Sequence, residues 1–292
     1  MKFFWLSLFL ILSLLFFSYP CFAFDLRALH EEADRTSSAE ALARTARSKN
    51  SPDAWYVLGL TYLNEHKDDL ARSAFGRVHS MNPASVAGRW GEAEVLRRKH
   101  QLRESEKILH DIIVQSPQFS PAYITLAYIK FTNTDYAIAV SLAKKVIAQG
   151  KENVDINNYT RAYLIVAGSR GMLAHYGGPI AKVTQGTRVF SMLKKAESFQ
   201  PFSSGVYFGL GSFYFLAPFF VGGNIDIAAE YFIKAITADP LFADSYARLA
   251  QVYKLKNDTV RYHDLIKKAL DIDPGNELAL DVQSGRCSFI CP

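Results

Sequence analysis

The chain has 292 residues, 49% of them hydrophobic and 21% charged. That composition excludes collagen-like, intrinsically disordered and polytopic membrane classes, and the length suits one large domain or two small ones. The formal net charge of +5 comes in alternating signs with no basic block, which argues against a dedicated nucleic-acid surface. Three cysteines are too few for a disulfide scaffold.

The chain opens on Lys2, an apolar run from Phe3 to Phe17, and Ser18-Tyr19-Pro20-Cys21-Phe22-Ala23. A basic start, a short apolar stretch and small residues before a cut describe a secretory signal peptide over residues 1–23, cleaved after Ala23. The run falls short of the ~20 residues that span a bilayer. The expected location is therefore the periplasm or the exterior, with membrane anchoring if the segment stays uncleaved. A lipidated Cys21 is disfavoured by Ser18, Tyr19 and Pro20 ahead of it.

Beyond residue 51 the sequence repeats. Pro83 and Pro117 lie 34 residues apart, as do Pro240 and Pro274. The first unit reads Trp55, Leu58-Gly59, Tyr62, Ala71, Phe75, Pro83. Later units keep the register in degenerate form: Arg89 to Pro117, Tyr123 to Ala143, Tyr163 to Pro201, Tyr207 to Pro240 and Tyr246 to Pro274. These residues resemble the tetratricopeptide repeat (TPR), whose pattern W-x2-L-G-x2-Y, A-x3-F, P is matched at every spacing in the first unit. The resemblance implies an all-α fold, a right-handed superhelix of about six helical hairpins. Small residues sit where helices cross, aromatics fill the space between hairpins, and each hairpin covers its neighbour's apolar face. We expect capping helices over 24–51, three units over 52–151, three further units over 152–274, two of them lengthened, and a capping helix and tail over 275–292.

First helices should line the concave face. The residue after each signature aromatic, and those four and seven further on, share that side. The candidate partner-binding groove is thus Tyr56, Leu60, Trp90, Arg97, Arg98, Tyr128 and Phe131, an aromatic wall with a cationic spot. The competing reading is that the superhelix closes tightly and these side chains are core.

Between Ser198 and Ile225 no residue is charged. Wound as one helix, Val206 to Val221 is apolar on every face and must be sealed or meet a partner, with Pro218 and Gly222-Gly223 to end it. Tyr207, Phe208, Phe215, Phe219 and Phe220 are its candidates for an apolar cavity, a small hydrophobic ligand or a contact between copies. One unit earlier, Tyr176-Gly177-Gly178-Pro179-Ile180 echoes Val221-Gly222-Gly223-Asn224-Ile225, each expected after a lengthened first helix. This aromatic, Gly-Gly and Phe232-Ile233-Lys234-Ala235 arrangement over roughly 160–275 weakly resembles the periplasmic T component of TRAP-type transporters. That resemblance implies a helical scaffold beside a solute-binding partner.

Chemistry is sparse. The seven histidines form no H-E-x-x-H or Cys/His metal spacing, and no P-loop or nucleophile elbow is present. We expect no enzyme, no cofactor and no metal. Cys287 and Cys291 can close a small disulfide in an oxidising compartment. The expected function is an exported scaffold holding a protein or peptide partner in the envelope, with an accessory role in TRAP-type transport as the alternative.

Overall fold

The structure, a computed structural model, describes residues 25–35 and 38–290. The segment 1–23, with the expected cleavage site, lies outside the described residues. These are helical throughout, without a strand. An opening pair, α1 (Leu26–Arg35) and α2 (Ala39–Lys49), precedes six hairpins. They are α3 (Pro52–Asn64) with α4 (Asp68–Met81), α5 (Val86–Arg98) with α6 (Leu102–Gln115), and α7 (Ser120–Thr132) with α8 (Tyr136–Ala148). Then come α9 (Ile156–Tyr176) with α11 (Val189–Phe199), joined through the short α10 (Pro179–Ala181). The last two are α12 (Ser204–Leu216) with α13 (Ile225–Ala238), and α14 (Ala243–Leu255) with α15 (Thr259–Ile272), followed by α16 (Glu277–Ser284). The fold is an α-solenoid.

The repeated small residues act by letting rings approach backbone. Phe75 of α4 is fully buried. A Cβ on Gly59 would lie 2.7 Å from its ring, and one on Gly91 2.0 Å from it. One aromatic thus sits between the first helices of two successive units. Phe232 repeats the arrangement against Gly211 at 2.7 Å. Several helix starts carry side-chain caps: Ser51 before Pro52, Ser85, Asp155, Asn224, Asp258 and Asn276 each accept from a first-turn N–H.

Four hairpins turn in the same way. His66, His100, Thr134 and Asn257 have left-handed φ of 56°, 59°, 66° and 59°. The next residue's N–H reaches back to close each helix: Lys67 to Tyr62 O, Gln101 to Leu96 O, Asp135 to Lys130 O, and Asp258 to Tyr253 O. This is a Schellman closure without its usual glycine.

One expectation about the uncharged stretch needs correction, that of a lengthened first helix. The helix stops at Leu216, where Pro218, a breaker already visible in the sequence, pushes Ala217 into extended backbone (φ −72°, ψ 142°). A separate 3-10 turn, Phe219–Val221, follows. The first helix of this unit, α12, has the ordinary 13 residues, so the extra residues lie wholly in its connector. Only α9, with 21 residues, is lengthened.

Candidate functional site

The solenoid curves until its front meets its back. His66 Nε2 lies 3.3 Å from Asp239 Oδ2. His100 places Nε2 2.9 Å from Asp273 Oδ1 and Nδ1 2.9 Å from Glu277 Oε1. Gly275 makes room for that imidazole, since a Cβ there would stand 2.4 Å from it. Hydrogen bonds to the two carboxylates raise the His100 pKa to about 10 against the opposing effect of burial. At the opening pair, Arg27 donates to Glu152 O at 3.0 Å and Asn157 Nδ2 to Asp34 at 2.7 and 2.8 Å.

The first helices enclose a cavity of 2230 Å³. The second helices contribute mainly at their ends, α11 apart. Leu60, Leu63, Trp90, Glu94, Arg97, Arg98, Tyr128 and Phe131 line the front. Leu164, Ile165, Leu193, Phe208, Phe213 and Leu216 form an apolar sector under the two unusual connectors.

The front wall holds a fixed polar cluster. Arg97 grips Glu94 with two bonds, Nε to Oε2 at 3.1 Å and Nη2 to Oε1 at 2.8 Å, and its guanidinium lies 4.5 Å over the Tyr128 ring. Trp90 Nε1 donates to Thr125 Oγ1 at 3.1 Å, and that hydroxyl donates to Glu94 Oε2 at 2.8 Å. Burial alone would raise the Glu94 pKa. Arg97 and Arg161, with hydrogen bonds from Arg97 and Thr125, outweigh it and hold the group at about 2. Arg161 makes one long ion pair, 3.9 Å from Glu94 Oε1, and lines the cavity. Two guanidiniums thus share the Glu94 carboxylate, with the Asp155 carboxylate also acting on Arg161. Toward the back, burial raises the Asp244 pKa, opposed by a hydrogen bond from Asn276, and burial lowers Arg248 to about 10.

Of the sequence-derived groove residues, Leu60, Trp90, Arg97, Arg98, Tyr128 and Phe131 line the cavity. Tyr56 is a correction. It is fully buried, because α1 lays His30 over it, with His30 Nε2 3.1 Å from its hydroxyl oxygen. Arg98 is engaged in the turn below, 2.7 Å from Asp68 Oδ1 through Nε. Among the aromatic candidates, Phe208 lines the cavity, and Tyr207 packs on Tyr231 with ring centroids 6.2 Å apart. Phe215 is core against Phe232, the second correction. Phe219 and Phe220 are 91% and 87% exposed, and Phe220 borders the cavity. Cys287 is disulfide-bonded, while Cys291 lies outside the described residues. Among the described residues, no group of three or more His, Cys, Asp or Glu is placed to hold a metal, and no helix is long and apolar enough to cross a membrane. Sequence reading missed Arg161 and Arg248. Their only signal was their place on first helices, the elements expected to line the concave face.

No protein-family profile and no curated protein matches the chain. Solved structures do. A tetratricopeptide repeat protein from Parabacteroides merdae aligns over 89% of this chain and 98% of its own, with TM-score 0.52 and 14% identity. Human IFIT1, solved as a dimer with m7Gppp-AAAA, aligns over 85% of this chain and 59% of its own at TM-score 0.59 and 16% identity. Cut9, in the APC/C hetero-tetramer Cut9-Hcn1, gives 88%, 47%, 0.57 and 15%. At such identities the likeness carries the fold alone, a TPR-type α-solenoid.

Proposed function

We propose that the chain is an exported, non-catalytic TPR scaffold that holds an extended segment of a protein partner in its concave cavity. The observation that carries this reading is the cavity itself. Pockets for small ligands occupy roughly 300–1,000 Å³, and 2230 Å³ exceeds that range. Its wall alternates aromatic surface with oriented polar groups, as a peptide with both backbone and side chains requires. A polyanion is the poorer fit. Asp34, Glu94, Asp244, Asp273 and Glu277 interrupt the cations along the wall, so no continuous basic track follows a phosphate backbone. Export is supported by the pattern of residues 1–23 and by the disulfide at Cys287, since disulfides persist in oxidising compartments.

The test is photo-crosslinking in the producing cells, with a photoreactive residue at position 128 on the cavity wall and at exposed position 114 as control. A discrete protein adduct from 128 and not from 114 is expected. No adduct from either position would overturn the reading.

The apolar sector of Leu164, Leu193, Phe208, Phe213 and Leu216 favours one other reading, a transport accessory of TRAP type that binds an apolar or amphipathic solute. Native mass spectrometry of the purified chain separates the two. A bound mass lost on Phe213→Asp, with the fold intact, supports the solute reading.

A further inference from the structure

The segment after α16 does not leave the molecule. It turns at Gly285, whose φ is 69°, and enters the cavity, where Phe289 and Ile290 join the lining. Three consecutive residues then have main-chain groups bound by side chains. The buried Asp281 carboxylate accepts from Ser288 N and Phe289 N, both at 2.9 Å. Arg248, also buried, donates to Phe289 O at 2.7 Å and to Ile290 O at 3.0 Å. Gln251 Nε2 donates to Ile290 O at 3.3 Å, and Tyr176 Oη to Ser288 O at 2.7 Å. The side chains are received as well. Phe289 stacks on Phe131 with centroids 6.4 Å apart, and Ile290 is buried with Tyr136 and Met172.

We propose that residues 287–290 are an internal occupant of a peptide-binding site, and that the site takes an extended segment carrying an aromatic-aliphatic pair. This rests on the scaffold reading and names its ligand class. Donors and acceptors that grip a main chain without regular secondary structure make a peptide site. The wall thus satisfies the main-chain groups of an extended segment in this place, which apolar contacts alone cannot do.

The occupant also fits imperfectly. Ile290 and Cys287 are held at φ of 68° and 61°, a region that β-branched and bulky residues adopt at a cost. Beside them, Tyr136 Oη and Arg248 Nε are buried without a hydrogen-bond partner. A partner segment that binds in relaxed backbone and reaches either atom would bind better than the internal one. The internal segment therefore acts as a competitor that sets a threshold for binding.

The experiment uses the full chain and a fluorescein-labelled peptide, Ser-Gly-Arg-Ser-Ser-Phe-Ile, followed by anisotropy. Phe289→Asp with Ile290→Asp expels the internal segment and is expected to bind at least about tenfold more tightly than the parent chain. In that background, Arg248→Gln removes the charged donor to both carbonyls and should lose at least about tenfold. Phe131→Ala should weaken binding too, and serves if Arg248→Gln does not fold by circular dichroism. A peptide with Phe replaced by Ser should not bind. A folded double variant that binds no better than the parent, or binding that ignores both Arg248→Gln and Phe131→Ala, overturns the proposal. If crosslinking from position 128 still yields a protein adduct, the scaffold reading stands and only the internal-occupant inference falls.

Discussion

At the scale of single residues, the repeat is a set of paired sizes. Phe75 fills the space that Gly59 and Gly91 leave, so neither glycine can gain a methyl unless the ring moves. Gly91→Ala is expected to cost about 1–3 kcal/mol by overpacking, read as a lowered denaturation midpoint. Phe75→Leu should partly relieve it, so the double variant will be more stable than the sum of the single changes predicts. Additive losses would mean that the ring is not what excludes the methyl. The same scale explains why Tyr56 left the groove. Position in the repeat fixes its face, and the rings of His30, Phe75 and Trp90 packed on it decide whether that face is open.

At the scale of elements, the turns show a regular device and its suspension. His66, His100 and Thr134 recur at 34-residue spacing with left-handed backbone, although none is glycine. Thr134 is the least suited of them, being β-branched, and it is exposed. Thr134→Gly is expected to stabilise the fold by about 1 kcal/mol, measured as a raised thermal midpoint. A fall in stability would show that its hydroxyl or methyl makes a contact worth more than the strain. The lengthened connectors of the fourth and fifth hairpins abandon this turn and expose Ile180, Phe219 and Phe220, of which Phe220 borders the cavity. The triplets Gly177-Gly178-Pro179 and Gly222-Gly223-Asn224 were readable as breaks. Whether the extra residues lengthened a helix or a loop was not: in the fourth hairpin they extend α9, and in the fifth they lie in the connector.

At the scale of the whole molecule, closure of the coil is what makes a cavity. His100 between Asp273 and Glu277 joins the second hairpin to the last. Its folded pKa is about 10, above the ordinary ~6.5. A raised pKa means that the folded state favours the proton. The clasp therefore contributes fully below about pH 6.5, and its contribution is lost as pH rises toward 10. Asp273, whose pKa is lowered, stays ionised through that window and adds no slope. The stability gap between the parent chain and His100→Gln should be widest near pH 6 and shrink by pH 10, measured by urea denaturation. A gap that does not change with pH would refute the charged clasp.

The repeat, the all-α class and most of the concave wall were legible in the sequence, because each depends on neighbours within about 34 residues and so leaves a periodic trace. Leu60, Trp90, Arg97, Tyr128 and Phe131 could be placed on one side by helical spacing alone. What tertiary structure decided depends on accumulated curvature. It brought His100 to Asp273, set Arg161 beside Glu94, and folded Phe289 onto Phe131. Those partners lie far apart along the chain and carry no spacing signal. A small rotation per hairpin, summed over six, determines whether they meet.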